Sequence, residues 1–175
     1  MDIATANYGG NSVSVLAGTN NGTFAAQVTY AIGTGPRSLV LADINGDGKP
    51  DLVTANYTSN NVSVLLANAG GGFSAPVNYA AGTDPAAASL GDINCDGRSD
   101  LLVANYTSNT LSVHLGAGDG TFRSPALFAT GTGPRSVVMA DLDGDTKLDA
   151  LTANYGSNSI NVLLNRSGTN CSLAQ

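Results

Sequence analysis

The sequence predicts an all-β protein built from about three and a half repeats of 49 residues, each the size of one β-propeller blade. An aspartate-rich pattern of nine residues begins at Asp43 and returns at Asp92 and Asp141, and the pair Asn-Tyr recurs at the same interval. Gly, Asn, Ser and Thr are abundant, as is typical of short strands joined by tight turns. We therefore expect a single repeat domain, residues 1–175, with blade pieces 1–33, 34–82, 83–131 and 132–175.

Each full repeat contains four short β-rich runs bounded by turn residues. In the second piece these runs are 38–42, 51–56, 61–67 and 73–80, and we name them strands A, B, C and D. Their tight connections predict an antiparallel meander. The chain starts after the A strand of its first repeat and stops where the D strand of its last would begin, so fourteen strands are expected.

The nine-residue pattern lies between strands A and B and is suited to binding a cation. Positions 1, 3, 5 and 9 carry side-chain oxygens, with glycines where the backbone turns sharply, and Ca²⁺ is the ion such a loop suits. Ten of the 13 acidic residues lie in the three loops, so the acidity reflects local sites. Three bound divalent ions would bring the formal charge of −6 near neutrality.

The repeat resembles the FG-GAP or VCBS type of integrin α-chain propellers and of many bacterial surface and secreted proteins. The resemblance rests on DINGDGKPDLVTAN, which starts at Asp43, and on GAGDGTF, which ends at Phe122, and it covers essentially the whole chain. It implies calcium-binding propeller blades, whereas it leaves function open because such blades serve adhesion, carbohydrate binding and scaffolding.

The resemblance also implies a ligand set for up to three calcium ions. Side chains at positions 1, 3, 5 and 9 and the backbone carbonyl at position 7 would surround each ion. These residues are Asp43, Asn45, Asp47, Lys49 and Asp51 in the first loop, Asp92, Asn94, Asp96, Arg98 and Asp100 in the second, and Asp141, Asp143, Asp145, Lys147 and Asp149 in the third. Cys95 and Thr146 stand where glycines are expected, which predicts weaker second and third sites.

A second face is predicted opposite the calcium loops, formed by the B–C and D–A turns. It would carry Tyr57, Tyr106 and Tyr155 near Arg37 and Arg135. An aromatic ring beside a guanidinium can stack on a sugar or peptide, which suggests a repeated ligand site. The alternative interpretation is architectural, with Asn of the Asn-Tyr pair satisfying a turn and Tyr packing between blades.

Other functional classes find little support in the sequence. The only histidine, His114, has no nucleophile linked to it by a motif, so we expect no enzymatic activity. The seven Lys and Arg residues are scattered, which argues against nucleic acid, and no apolar run predicts membrane insertion. Cys95 and Cys171 are either incidental thiols or form a disulfide, within the chain or between copies, in an oxidising compartment. Acceptor sequons for glycosylation occur at Asn21, Asn56, Asn61, Asn105, Asn165 and Asn170.

These features together predict a secreted or cell-surface module, stabilised by calcium, with a structural or adhesive role. The incomplete end repeats expose strand edges that invite pairing with another chain. The chain is therefore expected to be a fragment of a longer propeller, a small ring, half of a two-chain ring, or a unit that joins head to tail into a fibre. The alternative functions are a lectin-like propeller that binds glycans and an accessory domain of a larger secreted enzyme.

Overall fold

The computed structural model describes residues 2–166, which form 14 β-strands in four antiparallel sheets. No helix able to span a membrane is present in this part of the chain. The strands are β1 Ile3–Asn7, β2 Ser12–Leu16, β3 Val28–Ala31, β4 Pro36–Ala42, β5 Asp51–Asn56, β6 Asn61–Leu65, β7 Val77–Ala80, β8 Pro85–Gly91, β9 Asp100–Asn105, β10 Thr110–His114, β11 Ala126–Ala129, β12 Pro134–Ala140, β13 Asp149–Asn154 and β14 Ser159–Leu163.

The sheets are the expected meanders, and we call them blades 1 to 4 in chain order. Blade 1 is β1–β3, blade 2 is β4–β7, blade 3 is β8–β11 and blade 4 is β12–β14. The all-β fold and the fourteen strands are confirmed in residues 2–166. Strands A, C and D differ from prediction. Strand A begins at Pro36 with an irregular register to Ser38, and strand C ends at Leu65. Strand D is shortened to Val77–Ala80, because Phe73 makes only an isolated bridge with Ala67.

The hydrophobic core lies between neighbouring blades. Side chains alternate across each strand, so one B strand supplies two cores. Leu52 packs with Val13 in the cluster between blades 1 and 2, whereas Val53 packs with Leu101 in the cluster between blades 2 and 3, and all four are fully buried. The blades are therefore held together mainly by their neighbours.

In two of these cores a phenylalanine packs against a tyrosine of the preceding blade. Phe73 of blade 2 meets Tyr30 of blade 1 edge to face, with ring centroids 5.4 Å apart. One repeat later, Phe122 of blade 3 meets Tyr79 of blade 2 in the same way at 5.7 Å. Such aromatic pairs stabilise the contact beyond their buried area, so the Phe that recurs every 49 residues is a device for joining blades.

Asparagines join the blades on the face opposite the calcium loops. Asn11, Asn60 and Asn109 occupy the B–C turns with left-handed φ angles of 50°, 56° and 54°. Each side-chain Oδ1 accepts a hydrogen bond from a backbone amide in the D–A turn of the following blade, at 2.9, 2.8 and 2.8 Å. The fourth member of this series, Asn158, lies at the outer face of blade 4.

Candidate metal loops and the arginine–tyrosine row

The three aspartate loops share one local structure. The carboxylate at position 1 accepts backbone amides from the turn that follows it: Gly46 N and Gly48 N each lie 2.8 Å from Asp43, and Gly97 N lies 2.8 Å from Asp92. In the third loop, Gly144 and Thr146 donate to Asp141 in the same way. The hydrogen bonds to the carboxylate at position 1 therefore close each loop without a cation.

The aspartate at position 9 fastens each loop to its own blade. Asp51 is fully buried; its Oδ2 accepts Ile44 N at 3.0 Å, and its Oδ1 accepts Ala67 N, beyond strand C, at 2.7 Å. Asp100 and Asp149 repeat both bonds. Burial raises the pKa of Asp100 above its usual value. Sequence reasoning assigned this position only to the metal, whereas the structure shows that it also ties two loops together.

Acidic oxygens converge most clearly in the third loop. Carboxylate oxygens of Asp141, Asp143 and Asp149 lie within 4.8 Å of one another. In the first two loops position 3 is Asn45 or Asn94, whose Oδ1 accepts the amide at position 5 at 3.0 Å in each loop. The donor atoms are hard oxygens, most of them charged, and this set fits Ca²⁺. Held together without a cation, such carboxylates repel one another.

Lysines partly neutralise the negative charge of the first and third loops. Lys49 Nζ lies 3.0 Å from Asp47 Oδ2, and this hydrogen bond is the main cause that lowers the pKa of Asp47. Lys147 Nζ lies 3.4 Å from Asp145 Oδ2, and the backbone amide of Lys147 is the main cause that lowers the pKa of Asp145. Both carboxylates therefore stay ionised into the acidic range and are available to a metal.

The two residues that replace loop glycines adopt the left-handed backbone conformation of glycine. Cys95 has φ of 61° and Thr146 has φ of 70°, close to the 80° of their counterparts Gly144 and Gly97. Left-handed φ is costly for a residue with a Cβ, and most of all for β-branched threonine. The loop shape is thus conserved within the chain at the cost of local strain. Weaker binding at the second and third sites remains a prediction.

The predicted tyrosines and arginines form one continuous row across the four blades. Arg37 stacks on Tyr57 of its own blade, with Cζ 3.6 Å from the ring centroid, and lies 5.5 Å from Tyr8 of the preceding blade. Arg135 lies between Tyr155 and Tyr106 in the same manner, at 4.0 and 5.1 Å. Blade 3 has Ala86 in place of arginine, and there Tyr57 and Tyr106 meet directly at 6.4 Å.

This row supports the architectural interpretation of the Asn-Tyr pair. The guanidinium groups contact rings from two blades, which is a favourable cation–π arrangement. The asparagine of the pair serves the B–C hairpin, since Asn56 Nδ2 donates to Asn61 Oδ1 and to Ser63 Oγ, both at 2.8 Å. Tyr155 remains 62% exposed at the outer face of blade 4.

The predicted sequons differ in accessibility. Asn21 is exposed, Asn61 and Asn165 are half-buried, and Asn56 and Asn105 are fully buried with their amide nitrogens donating inside the hairpin. Folded blades do not present these last two side chains to solvent. The remaining sequon, Asn170, and the predicted disulfide partner Cys171 lie outside the described residues, whereas Cys95 is not a free thiol.

His114 is fully buried in strand C of blade 3, at the position that Leu65 occupies in blade 2. Neither ring nitrogen has a hydrogen-bond partner among residues 2–166. Burial is the main cause that lowers the pKa of His114. The lowered pKa favours the neutral imidazole, so His114 is an uncharged core residue of blade 3.

His114→Leu is expected to stabilise the protein and to flatten its pH dependence. An unsatisfied buried polar group costs about 1–3 kcal/mol. The pKa of His114 is lower in the folded state than in the unfolded chain, where a histidine titrates at about 6.5. Below that pH the unfolded chain binds more protons than the folded one. Wild-type stability therefore falls as the pH decreases below about 6.5, by up to about 1.4 kcal/mol per pH unit. Urea unfolding between pH 5 and 8 measures both effects.

The reciprocal change, Leu65→His, provides the matched control. It places imidazole at the equivalent position of blade 2, where leucine is also fully buried, and should create the pH dependence that His114→Leu removes. Equal pH slopes for wild type and His114→Leu would contradict the interpretation of His114 as the titrating group.

Comparison with known proteins agrees with the repeat structure. The FG-GAP-like repeat matches residues 1–54, 43–103 and 92–152. Among curated proteins none matches the chain significantly.

Three similar solved structures share the fold. A functionally unknown protein from Desulfotomaculum acetoxidans has a TM-score of 0.56 at 14% identity, over 92% of this chain and 54% of the other. An Agrocybe aegerita lectin that recognises non-reducing terminal N-acetylglucosamine has a TM-score of 0.52 at 22% identity, over 93% and 49%. The Photorhabdus luminescens Tc holotoxin pore has a TM-score of 0.50 at 22% identity, over 86% and 8%. The chain thus spans about half the length of the first two proteins and 8% of the length of the third.

Proposed function

Because this chain belongs to the FG-GAP-like repeat family, we propose that it is a calcium-stabilised propeller-repeat module with a structural, non-enzymatic role outside the cell, and that its copies join head to tail through their end blades. FG-GAP repeats are typical of extracellular proteins. The three aspartate loops supply oxygen ligands for calcium, an ion that is plentiful there. The observation that carries the assembly is the chemistry of the two end faces.

The outer face of blade 4 carries the residues that fill the inner junctions. Ile160 is 66% exposed there, whereas its repeat equivalents Leu111 and Val62 are 1% and 0% exposed between blades. Val162 is 47% exposed on the same strand. Asn158 lies in the same surface hollow as Ile160, at the position from which Asn11, Asn60 and Asn109 bind the next blade.

The outer face of blade 1 is the complementary surface. Ile3 is 40% exposed, and its repeat equivalents Leu52 and Leu101 are fully buried against the preceding blade. Phe24 is 42% exposed, whereas Phe122 is 8% exposed. Isolated apolar side chains are ordinary on surfaces, but these lie at the positions that make each internal junction. Two different, complementary faces at opposite ends of one chain allow copies to associate head to tail, and they form a filament when the rotation does not close a ring.

Ile160→Asp is expected to shift the calcium-bound protein from high-mass particles to single chains. A carboxylate buried in an apolar junction without a partner is strongly unfavourable. The matched control is Val77→Asp, since Val77 is 53% exposed on a D strand, away from both end faces. Light scattering and electron microscopy measure particle size. A monodisperse wild-type monomer in calcium, or identical particles for Ile160→Asp, would contradict head-to-tail assembly.

Carbohydrate binding is the second candidate, favoured by one feature. Tyr155 is 62% exposed, and it lines a surface hollow with Arg135 and Ile160. An open ring next to a guanidinium is a chemistry suited to stacking on a sugar. The two proposals share this face, so a glycan that binds there would compete with head-to-tail assembly. We place carbohydrate binding second because Arg37 and Arg135 are already stacked on rings of the chain itself.

A further inference from the structure

Position 2 of each aspartate loop holds an apolar side chain, and in the first two loops this side chain packs at the junction with the next blade. Ile44, in the first loop, is 4% exposed and belongs to the cluster between blades 2 and 3 that contains Phe122. Ile93, in the second loop, packs against the cluster that Leu102 and Val137 form between blades 3 and 4. These two loops therefore contribute to the blade junctions as well as to the predicted metal sites.

The third loop presents the equivalent side chain on the outer face of blade 4. Leu142 follows Ile93 by one repeat and is 46% exposed. Its backbone amide donates to Asp149 Oδ2 at 2.9 Å, which is the bond that the amide of Ile44 makes with Asp51 at 3.0 Å. Leu142 is thus anchored like a junction residue, although within the described part of the chain no further blade covers its side chain.

The two end faces carry the two halves of an internal junction. Phe122 of blade 3 lies in one cluster with four apolar residues of blade 2, which are Ile44, Val53, Val62 and Val64. Two repeats later, the equivalents of these four residues form a surface on blade 4 that we call the blade 4 patch, and its members are Leu142, Leu151, Ile160 and Val162. Two repeats earlier, the equivalent of Phe122 is Phe24, which is exposed on the outer face of blade 1. Phe24 of one copy therefore matches the blade 4 patch of another.

Leu142 is the member of the blade 4 patch that belongs to a metal loop, since the other three lie on strands β13 and β14. It stands between the predicted ligands Asp141 and Asp143, whose carboxylate oxygens lie within 4.8 Å of each other and of one from Asp149. The third loop carries four aspartates, whereas each of the other two carries three. Without a cation these carboxylates repel one another, and the repulsion acts on the backbone that positions Leu142.

We propose that calcium at the third loop controls the head-to-tail junction by holding Leu142 against Phe24 of the next copy, an inference that rests on the proposed function. The ion would neutralise the carboxylates on either side of Leu142 and fix the loop in the conformation of a junction. In the empty loop Leu142 is held less firmly, and the junction loses one of the four side chains around Phe24. The first two loops lie at junctions within one chain, so their ions affect fold stability rather than assembly.

Two variants that each lose one end face isolate a single junction for measurement. Phe24→Asp disables the blade 1 face and Ile160→Asp disables the blade 4 face, because each would bury a carboxylate in an apolar junction. Each variant alone is expected to remain a single chain. An equimolar mixture in calcium is expected to form a dimer, in which the intact blade 4 of the Phe24→Asp chain meets the intact blade 1 of the Ile160→Asp chain. Analytical ultracentrifugation measures the Kd of this dimer.

Asp143→Ala tests the third loop at this junction, with its placement as the control. In the Phe24→Asp chain, whose blade 4 makes the junction, it should raise the Kd about tenfold in calcium, which is the order of effect expected when a buried leucine contact is lost. In the Ile160→Asp chain, whose blade 4 lies at the free end, the same substitution should raise the Kd much less. A general loss of folding would affect both placements equally. Transfer of the unmodified pair from calcium to EGTA should also raise the Kd about tenfold.

Leu142→Ala in the Phe24→Asp chain separates the contact from the metal, because it keeps every predicted ligand of the third loop. It should weaken the dimer as Asp143→Ala does and make the Kd independent of calcium. Equal effects of Asp143→Ala in the two placements, or a Leu142→Ala dimer that still responds to calcium, would overturn control by the third loop and leave head-to-tail assembly standing. A mixture that forms no dimer in calcium would overturn the assembly itself, and this inference with it.

Discussion

Removal of calcium is expected to lower the Tm of this protein by more than about 15 °C. Each loop gathers three or four aspartates that repel one another when no cation is bound. A ligand that binds only the folded state stabilises it by about 2.7 kcal/mol per site when present at 100 times its Kd, so three sites contribute roughly 8 kcal/mol. For a chain of this size each kcal/mol moves Tm by about 2–4 °C. Circular dichroism melts in calcium and in EGTA measure the change.

Two controls make the calcium experiment specific. Magnesium should restore little of the lost stability, because it demands near-octahedral geometry and sheds water reluctantly. Asp141→Asn should remove about a third of the calcium effect. Asp119→Asn should leave it unchanged, since Asp119 is exposed in a C–D turn, where its carboxylate accepts hydrogen bonds from Thr121, and it is not one of the loop ligands. Melts that coincide in calcium and EGTA would show that the loops are fastened by their own hydrogen bonds alone.

The repeat interval made the strands predictable, most accurately where the side-chain pattern and the burial agree. Strand B was expected at 51–56 and is observed at Asp51–Asn56, buried at every position. Strand D was placed too early because FSAPVNYA reads as one β-rich run. Phe73 instead pairs alone with Ala67, and Pro76, which lacks an amide proton, precedes the ladder that begins at Val77.

The site was predictable in composition but not in all its connections. Spacing identified the loop oxygens and brought Arg37 and Arg135 near the tyrosines. Each arginine contacts a ring of the preceding blade, which depends on the angle between sheets rather than on a local motif. The same limitation hid the inter-blade bonds of Asn11 and Asn60. These asparagines carry a sequence signal, since both occupy turns at the repeat interval, but the partner amide lies 24 residues away.

The distribution of the core has a consequence for cooperativity. Blades 2 and 3 are covered on both faces, and strand B is buried at every position in each. Blade 4 is covered on one face, and its strand C is exposed or half-buried throughout. Repeat proteins gain stability from each interface between neighbours, so the central pair of blades is the most stable unit. The end blades gain the most from any partner that covers them.

Asp51→Ala is expected to cost about 3–5 kcal/mol of unfolding free energy even without calcium. Asp51 is fully buried, and its two oxygens accept amides of Ile44 and Ala67 at 3.0 and 2.7 Å. Hydrogen bonds to a charged group contribute about 1.5–3 kcal/mol each, and the substitution leaves both amides without their acceptor. Urea unfolding in EGTA measures this cost separately from the loss of a metal ligand.

Asp2 is the matched control that the repeat itself provides. It is the equivalent of Asp51 in blade 1 and accepts Gly18 N at 2.8 Å, but it is exposed. Water can replace this carboxylate, so Asp2→Ala should cost no more than about 0.5 kcal/mol. Asp51→Asn, which keeps an acceptor for one amide but brings a donor against the other, should fall between the two. If Asp2→Ala and Asp51→Ala lose equal unfolding free energy in EGTA, the two buried hydrogen bonds of Asp51 contribute no more than the one exposed hydrogen bond of Asp2. The buried aspartate would then stabilise the blade only as a metal ligand.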